Sequence, residues 1–408
     1  MALLDTTIYA VAMNDGGNWD PADDVVRLRA LRAMDGQPLW QSPPLEAGDS
    51  VSFGSIAGPT IDPAAEDAVR TAIDRAERPA VIAGTLAIRR GWHDWLNGLG
   101  VPVFSTAAAK GVVDETRPHA AGVYTGVGQP LSPEAVLLQD ADLVIGLGLR
   151  HSEVLSAAAL PCPAVNIDCA GPEHWNGFGF TAVAAPSDAL VDQLRACLSD
   201  RQPDGTAERI AGCRTAMLTR LRGEAFLPAQ AFEALSSTLP DAGFVMDTGL
   251  YCTVGEHVLQ ARTPQTCLLA GQSRYMGTGI PMALGAAAVA PDRPTVAIVG
   301  DGGIAMAVGE LKLAVELELP LLVVLMSDGN LGTLRPRARK DGLTEAPMRI
   351  DQPSWRAVLD GMGIPGAAAA TGQELADALA GIGPIKAPRY LELTFDPDHY
   401  ITMCDGVR

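Results

Sequence analysis

The sequence predicts an α/β protein with two doubly wound parallel-sheet domains that follow an irregular N-terminal segment. Short apolar runs alternate with helical patterns from about residue 61 onward, which is typical of strand–helix–strand units. The 408 residues are 48% apolar, which is enough to fill two cores. Pro and Gly at residues 201–205 indicate a linker. The predicted divisions are an N-terminal segment (1–60), a central domain (61–205) and a C-terminal domain (206–408).

Residues 1–60 are predicted to be irregular, because turn-forming residues recur there, as at Ser42-Pro43-Pro44. One helix is expected at residues 23–34, where Val25, Leu28 and Leu31 would lie on one face. The segment is otherwise expected to consist of loops.

Short apolar runs predict the strands of both sheets. They include residues 80–83, 101–104, 142–146 and 164–168 in the central domain, and residues 295–299 and 321–326 in the C-terminal domain. Between the last two runs, apolar residues at 304, 308, 311, 315 and 319 follow a helical spacing. This part of the C-terminal domain is therefore predicted to be a βαβ unit.

An acidic residue follows each strand of that βαβ unit. The first strand runs into Gly300-Asp301-Gly302-Gly303 and the second into Asp328-Gly329-Asn330, at the strand ends where ligands bind in parallel sheets. The N–H groups of a Gly-rich turn favour a phosphate, and two carboxylates can share one Mg²⁺ with phosphate oxygens. The residues therefore indicate a site for Mg²⁺ and a diphosphate. The alternative is a tight turn in which Asp301 caps a helix.

This pattern resembles the thiamine diphosphate motif of the acetolactate synthase and benzoylformate decarboxylase branch of thiamine diphosphate-dependent enzymes. The resemblance implies that the side chains of Asp301 and Asp328 and the carbonyl of Asn330 bind Mg²⁺. It extends to residues 272–287, where Met276 is expected to wedge beneath the cofactor and hold its rings in a bent shape. The cofactor-binding residues that it implies are Gly249, Leu250, Tyr251, Arg274, Met276, Gly300, Asp301, Gly302, Gly303, Asp328, Asn330 and Gly332.

Two places depart from the family pattern. Arg274 stands where relatives commonly have Gly. Its carbonyl can still accept a hydrogen bond from the cofactor, and its side chain is a candidate for binding a substrate carboxylate; the alternative is a surface or interface Arg. Leu250 and Tyr251 replace polar residues in a turn that touches the diphosphate in the family, which leaves only the backbone contacts there.

Residues 78–168 resemble the central domain of the same family, which holds FAD or ADP in some relatives and nothing in many. Gly146-Leu147-Gly148 follows a predicted strand but lacks the third glycine of a dinucleotide motif. We therefore favour a central domain that binds no nucleotide over one that binds FAD or ADP.

The resemblance also implies a missing part. Family members usually begin with a pyrimidine-binding domain whose Glu activates the cofactor, and only the end of that domain is expected here, at residues 25–44. We therefore expect no catalytic Glu in this chain. A separate small subunit is expected to carry the pyrimidine-binding domain and its Glu, in an assembly of at least a dimer of heterodimers.

The implied function is that of the large subunit of a heteromeric lyase or carboligase that decarboxylates a 2-oxo acid. Transfer of the acyl unit to a second carbonyl, as in acetolactate synthases, is favoured over simple decarboxylation. The basic residues at 334–340 stand where true acetolactate synthases have a Trp, and a solvated lid is favoured there over a site for an anionic substrate. Two other classes of protein are alternatives. One is a non-catalytic regulatory subunit, and the other is a nicotinamide dehydrogenase, which only the turn at Gly146 supports.

Composition argues against several kinds of partner. The formal net charge of −18 disfavours nucleic acid and anionic membranes. No run of about 18 apolar residues and no signal peptide is recognised. Seven scattered cysteines without a Cys-x-x-Cys pair argue against a zinc site and indicate a reducing cytoplasm.

Overall fold

The computed structural model describes residues 62–150, 153, 155–156, 159–169, 177–199, 201, 205–269, 275–351 and 353–407, and the backbone of three strands before residue 62. The chain forms two compact units, Met1–Thr60 and Ile61–Arg408. Arg274 lies outside the described residues. In the part of the chain that is described, no helix is long and apolar enough to cross a membrane.

The first unit contains a three-stranded antiparallel sheet, in the order β1 (Val11–Met13), β2 (Arg27–Leu31) and β3 (Pro38–Gln41). The prediction of a helix at residues 23–34 is therefore wrong, and so is the expectation that the segment is otherwise loop. The reason is visible in the sequence Arg27-Leu28-Arg29-Ala30, where polar and apolar residues alternate with the period of two that suits a strand.

The central domain contains a six-stranded sheet in which all neighbouring strands are parallel. Its strands are β4 (Pro79–Ala83), β5 (Val103–Thr106), β6 (Ala120–Tyr124), β7 (Leu143–Leu147), β8 (Ala164–Ile167) and β9 (Ala182–Ala184). Their order is β6-β5-β4-β7-β8-β9, so the winding reverses between β4 and β7. Such a switch point is the ligand-binding crevice of doubly wound sheets.

Helices cover the central sheet and keep its apolar strands out of water. They are α1 (Pro63–Arg75), α2 (Thr85–Arg89), α3 (His93–Asn97), α4 (Pro133–Leu137) and α5 (Asp188–Ser199), with a 3-10 helix at Ala107–Ala109. Helix α1 begins where Asp62 accepts a hydrogen bond from the N–H of Ala64 (3.0 Å), a typical N-cap. All residues of β4, β5 and β7 are buried, as expected of strands covered on both faces.

The C-terminal domain contains a second six-stranded parallel sheet. Its strands are β10 (Gly243–Met246), β11 (Cys267–Leu269), β12 (Thr295–Gly300), β13 (Leu321–Ser327), β14 (Gly366–Ala369) and β15 (Arg389–Thr394), in the order β11-β10-β12-β13-β15-β14. The two parallel sheets confirm the predicted α/β fold class.

The helices that precede and cover this second sheet are α6 (Thr206–Arg222), α7 (Pro228–Thr238), α8 (Leu250–Val258), α9 (Gly279–Val289), α10 (Asp301–Ala307), α11 (Leu311–Glu316), α12 (Arg335–Lys340), α13 (Trp355–Gly361), α14 (Gly372–Ile382) and α15 (Pro397–Thr402). The helix predicted between the two strands of the βαβ unit is interrupted by a 3-10 turn at Val308–Glu310. Its apolar stripe still faces the core, since Ile304, Leu311 and Leu319 are buried.

Lys110 of the central domain fixes the end of α8 in the C-terminal domain. Its ammonium group donates hydrogen bonds to both carboxylate oxygens of Glu115 (2.7 and 2.6 Å) and to the carbonyl of Glu256 (2.8 Å), in the last turn of α8. Glu115 in turn accepts a hydrogen bond from the N–H of Ala261 (2.7 Å). Both charged side chains are buried, so the pair joins the two domains through a buried contact.

Candidate functional site

Two buried carboxylates lie at neighbouring strand ends of the C-terminal sheet. Strands β12 and β13 are paired in parallel up to Gly300 and Met326. Asp301 directly follows β12 and Asp328 directly follows β13. Their side chains are 2% and 9% exposed. The fold thus brings together the two acids that the sequence pattern selects.

Asp301 organises the loop that carries Asp328. Its Oδ2 atom accepts hydrogen bonds from the backbone N–H groups of Asp328 (3.1 Å) and Gly329 (2.9 Å). Gly329 has a positive φ of 68°, which lets the loop turn back towards Asp301. The position of the second carboxylate therefore depends on the first.

One oxygen of each carboxylate is buried and has no hydrogen-bond partner among the described residues: Oδ1 of Asp301 and Oδ2 of Asp328. Burial raises the pKa of Asp301. Burial, and then the charge of Asp301, raises the pKa of Asp328 to about 6. Buried acceptors without a donor are costly, and a hard cation would satisfy both. These two carboxylate oxygens therefore fit Mg²⁺, which prefers oxygen ligands and can take its remaining ligands from phosphate and water.

The described residues contain no group of three or more His, Cys, Asp or Glu side chains that could hold a metal ion. A cation between Asp301 and Asp328 would thus need a backbone carbonyl and ligand oxygens as well. The loop after β13 can supply a carbonyl at Asn330. Its side-chain amide donates a hydrogen bond to the carbonyl of Asp328 (2.5 Å) and so closes the loop.

Glycines surround this pair of acids. Gly300 caps α10, which begins at Asp301, so the N–H groups of Gly302 and Gly303 belong to the first turn of a helix and favour an anion. Gly332 lies beside Asp328, because a Cβ atom at this glycine would be 3.5 Å from Asp328 Oδ2. These glycines thus place backbone N–H groups that favour an anion beside the two acids that could hold a cation.

Met276 lies next to the glycine turn. A Cβ atom built on Gly302 would be 3.4 Å from the Met276 sulfur, and the Met276 side chain is 41% exposed. An apolar side chain that is exposed beside a polar cradle is available to contact a ligand. This placement agrees with a supporting role beneath a bound molecule.

The turn at Gly249, Leu250 and Tyr251 reaches the same edge of the sheet, because it starts α8 three residues after the end of β10. The Tyr251 side chain does not face outward: it is 1% exposed and packs against Gly249 and Gly300, where a Cβ atom would be 2.2 and 2.9 Å from its ring. Tyr251 therefore supports both turns from the core side, which leaves the backbone of Gly249 and Leu250 for contacts with a ligand.

Asp247 is a residue that the sequence prediction did not include among the site residues. It follows β10, is fully buried, and accepts hydrogen bonds from the N–H groups of Thr248 (2.7 Å) and Gly277 (2.9 Å). Burial raises its pKa, and these hydrogen bonds oppose that effect. The signal that could have found it is its position, since it is a third acid at the end of a strand on this edge.

The basic stretch at residues 334–340 is largely neutralised by acids. Arg335 and Arg339 donate hydrogen bonds to Glu345 (3.0 and 2.7 Å), and Arg337 donates to Asp341 (2.6 Å). Hydrogen bonds from Arg339 and Arg335 lower the pKa of Glu345 to about 2. These contacts agree better with a structured surface helix than with a site for an anionic substrate.

The crevice between β4 and β7 contains a carboxylate of the protein itself. Glu153, which is 3% exposed, accepts hydrogen bonds from the N–H of Thr85 (2.8 Å) at the start of α2 and from the hydroxyl of Thr106 (2.6 Å) at the end of β5. Close packing explains why residues 146 and 148, which form the weak dinucleotide signal, are glycines. A Cβ atom at Gly146 would lie 2.6 Å from Asn166 Oδ1, and a Cβ atom at Gly148 would lie 2.3 Å from Leu86 Cβ.

Comparison with protein families identifies two domains of one family in the chain. The central domain of thiamine pyrophosphate enzymes matches residues 67–173, and their C-terminal thiamine pyrophosphate-binding domain matches residues 247–392. The chain thus belongs to the thiamine pyrophosphate enzyme family and contains its central and C-terminal domains. The second match includes Asp247, Met276, Asp301 and Asp328.

The individual relatives that the chain resembles are named for several different activities. The chain is similar to the probable 2-ketoarginine decarboxylase of Pseudomonas aeruginosa (31% identity over 289 residues, 66% of this chain and 50% of the relative). It is also similar to the pyruvate oxidase of Lactiplantibacillus plantarum (25% over 312 residues, 72% and 51%) and the acetolactate synthase large subunit of Corynebacterium glutamicum (28% over 314 residues, 66% and 46%). The chain spans about half the length of the curated relatives it matches.

Proposed function

We propose that this chain is the large subunit of a heteromeric thiamine diphosphate- and Mg²⁺-dependent enzyme. The reaction is decarboxylation of a 2-oxo acid followed by transfer of the acyl unit to a second carbonyl, as in an acetolactate synthase. The observation that carries the proposal is the pair Asp301 and Asp328, two buried acids at adjacent strand ends that each have one unpaired oxygen.

Each part of the site has a role in holding the cofactor. The side chains of Asp301 and Asp328 and the carbonyl of Asn330 hold Mg²⁺, and the N–H groups of Gly302 and Gly303 bind the diphosphate. When bound, thiamine diphosphate supplies a carbon nucleophile and an electron sink for cleavage next to a carbonyl group. Met276 supports the ring system, because its exposed side chain lies beside Gly302.

Exposed apolar residues next to this site support the proposed partner. Tyr275 and Met306 are 67% and 65% exposed, and Leu313 on α11 and Leu317 directly after this helix are exposed as well. A Cβ atom at Gly277 would contact Met306 at 3.0 Å, so the patch adjoins the Met276 turn. Apolar surface of this kind typically marks an interface. We assign it to the small subunit that carries the pyrimidine-binding domain and the activating Glu, in a dimer of heterodimers.

A reducing cytoplasm is the proposed location. The seven cysteines all lie in the described part of the chain, and none of them forms a disulfide. Disulfides are rare in the cytoplasm and common in oxidising compartments.

Simple decarboxylation is the second candidate, and the relative at 31% identity, named as a decarboxylase, favours it. Both candidates share the first step and differ in the fate of the acyl unit. In both, Arg274 is the proposed contact for the substrate carboxylate, since a guanidinium binds a carboxylate through two hydrogen bonds. We expect Arg274→Gln to raise KM more than it lowers kcat.

The test is reconstitution of activity. The chain is purified with the product of a neighbouring small reading frame, supplied with thiamine diphosphate and Mg²⁺, and incubated with a panel of 2-oxo acids. Release of CO₂ with a coupled hydroxy-ketone product supports the carboligase, and release with only an aldehyde supports the decarboxylase. If the pair binds the cofactor but turns over no 2-oxo acid, the chain is a regulatory subunit. Full activity of the chain alone would refute the split site.

A further inference from the structure

We propose that Asp247 is a positioning residue that holds the turn carrying Met276 in a fixed place beside the diphosphate-binding glycines. This proposal rests on the proposed function, because it assigns Met276 and Gly302 to different parts of one bound cofactor. Asp247 itself is fully buried, so it acts through the segments that it joins and not by touching a ligand.

The carboxylate of Asp247 connects the end of β10 to the Met276 turn. One oxygen accepts a hydrogen bond from the N–H of Thr248 (2.7 Å), and the other accepts one from the N–H of Gly277 (2.9 Å). Asp247 is also fixed to the sheet, since its own N–H donates to the carbonyl of Ile298 in β12 (2.9 Å). A rigid strand end thus anchors the residue that follows Met276.

The same carboxylate determines how closely the neighbouring helices approach. A Cβ atom on Gly303 would lie 2.1 Å from Asp247 Oδ2, and a Cβ atom on Gly279 would lie 2.5 Å from Asp247 Cβ. Both distances are far below a normal contact. Gly303 in α10 and Gly279 at the start of α9 are therefore glycines because Asp247 occupies the space that a side chain would need.

Asp247 consequently links three segments of the site: the turn before α8, the Met276 turn and the first turn of α10. The diphosphate would contact the glycines of α10, whereas Met276 would contact the rings. Displacement of Gly277 would move Met276 and leave the unpaired oxygens of Asp301 and Asp328 unchanged. Loss of the Asp247 contact should therefore weaken recognition of the thiamine part more than recognition of the diphosphate.

Two variants disturb this contact from opposite sides. Asp247→Asn keeps the shape but can accept with only one oxygen, so one of the two N–H groups faces an amide donor. Gly303→Ala keeps the carboxylate but places a methyl group against it. Gly309→Ala is the matched control, because Gly309 follows α10 and no atom lies within 4 Å of a Cβ built there.

The first measurement is amide hydrogen exchange of the full chain without cofactor, followed in the peptide that contains residues 275–282. We expect exchange to become at least tenfold faster in Asp247→Asn and in Gly303→Ala and to stay unchanged in Gly309→Ala. Unchanged exchange in both test variants would overturn the proposal. This result does not depend on the cofactor, so it remains decisive if the proposed function fails.

The second measurement compares affinities for thiamine diphosphate and for inorganic diphosphate, both with Mg²⁺. We expect Asp247→Asn to lose at least tenfold more affinity for thiamine diphosphate than for inorganic diphosphate. Equal losses for the two ligands would mean that Asp247 only stabilises the fold and would overturn the positioning role. If the wild-type chain bound neither ligand, the cofactor assignment would fail, and the hydrogen-exchange result would still decide the role of Asp247.

Discussion

The side chain of Asp301 accepts a hydrogen bond from the backbone N–H of Asp328 (3.1 Å), so one carboxylate of the candidate metal site positions the other. The bond uses only Oδ2 of Asp301, and the Oδ1 atom remains buried without a partner. A helix cap would use its side chain to bind N–H groups of its own helix. Asp301 instead binds the loop after the neighbouring strand, which favours the metal-site interpretation over the capping alternative.

The contribution of Asp328 to the stability of the metal-free protein should fall as the pH rises from about 4 to 6. Burial and the charge of Asp301 raise the pKa of Asp328 from 3.8 to about 6 in the folded state. A carboxyl group with a raised pKa stabilises the fold below its unfolded pKa, and this stabilisation is lost as the pH rises through the folded pKa. The loss is on the order of 3 kcal/mol. Urea denaturation at pH 4.5 and 7 should detect about 2 kcal/mol of this loss, because the carboxyl group is already largely ionised in the unfolded protein at pH 4.5.

Asp328→Asn provides the control for this pH effect. The neutral amide should remove the part of the pH dependence that Asp328 causes, while Asp301 and Asp247, whose pKa values burial also raises, keep their parts. Addition of Mg²⁺ should restore the stability of the wild-type protein at pH 7. An equally steep fall in stability for Asp328→Asn would show that other groups cause it.

Met276→Ala should weaken binding of thiamine diphosphate at least tenfold and change the free energy of unfolding by less than about 1 kcal/mol. The stability effect is small because the Met276 side chain is 41% exposed. Met276→Leu keeps the bulk and should retain most of the affinity. Calorimetric titration and urea denaturation separate the two effects. A large loss of stability without a loss of affinity would identify Met276 as an ordinary core residue.

Lys110→Met should lower the free energy of unfolding by about 3–5 kcal/mol, because it leaves the carboxylate of Glu115 buried without its counterion. Lys110→Met/Glu115→Gln should recover part of that loss. The exposed pair Lys312 and Glu316 is the contrasting case, and Lys312→Ala should cost less than about 1 kcal/mol. Chemical denaturation measures the stability of all three variants. Similar losses of stability at the two pairs would argue against a stabilising buried ion pair between the domains.

Leu317→Glu should abolish binding of the small subunit and leave the affinity of the isolated chain for thiamine diphosphate unchanged. Leu317 is exposed directly after α11, and a charge there would have to be buried in the proposed interface. Val358→Glu on α13 is the matched control, since Val358 is also an exposed apolar residue. Size-exclusion chromatography of the mixed subunits distinguishes the variants. Normal complex formation by Leu317→Glu would place the interface elsewhere.

Local sequence patterns predicted the parallel sheets and the position of the two acids at adjacent strand ends. Buried strands carry continuous apolar runs, and Asp301 and Asp328 directly follow such runs. The runs at residues 295–299 and 321–326 became β12 and β13 with one additional residue at the end of each. The pattern at residues 23–34 failed because Val25, Leu28 and Leu31 suit a helix while the alternation around Arg27 suits a strand. Pairing with β1 and β3 decides between them.

Other features depend on contacts between distant parts of the chain and could not be seen in local patterns. The Gly146 and Gly148 signal for a nucleotide is explained by packing against Asn166 and Leu86. Asp247 gains its importance from Gly277, which is 30 residues away in sequence. Only the fold shows that these residues meet.

Calorimetric titration of thiamine diphosphate into the wild-type chain and into Asp301→Ala, each with and without Mg²⁺, tests the central claim most directly. We predict that the wild-type chain binds the cofactor only when Mg²⁺ is present, and that Asp301→Ala lowers this affinity by a factor on the order of 100. Equal affinity of the two proteins, or binding that does not depend on Mg²⁺, would contradict the assignment of Asp301 and Asp328 as the metal site.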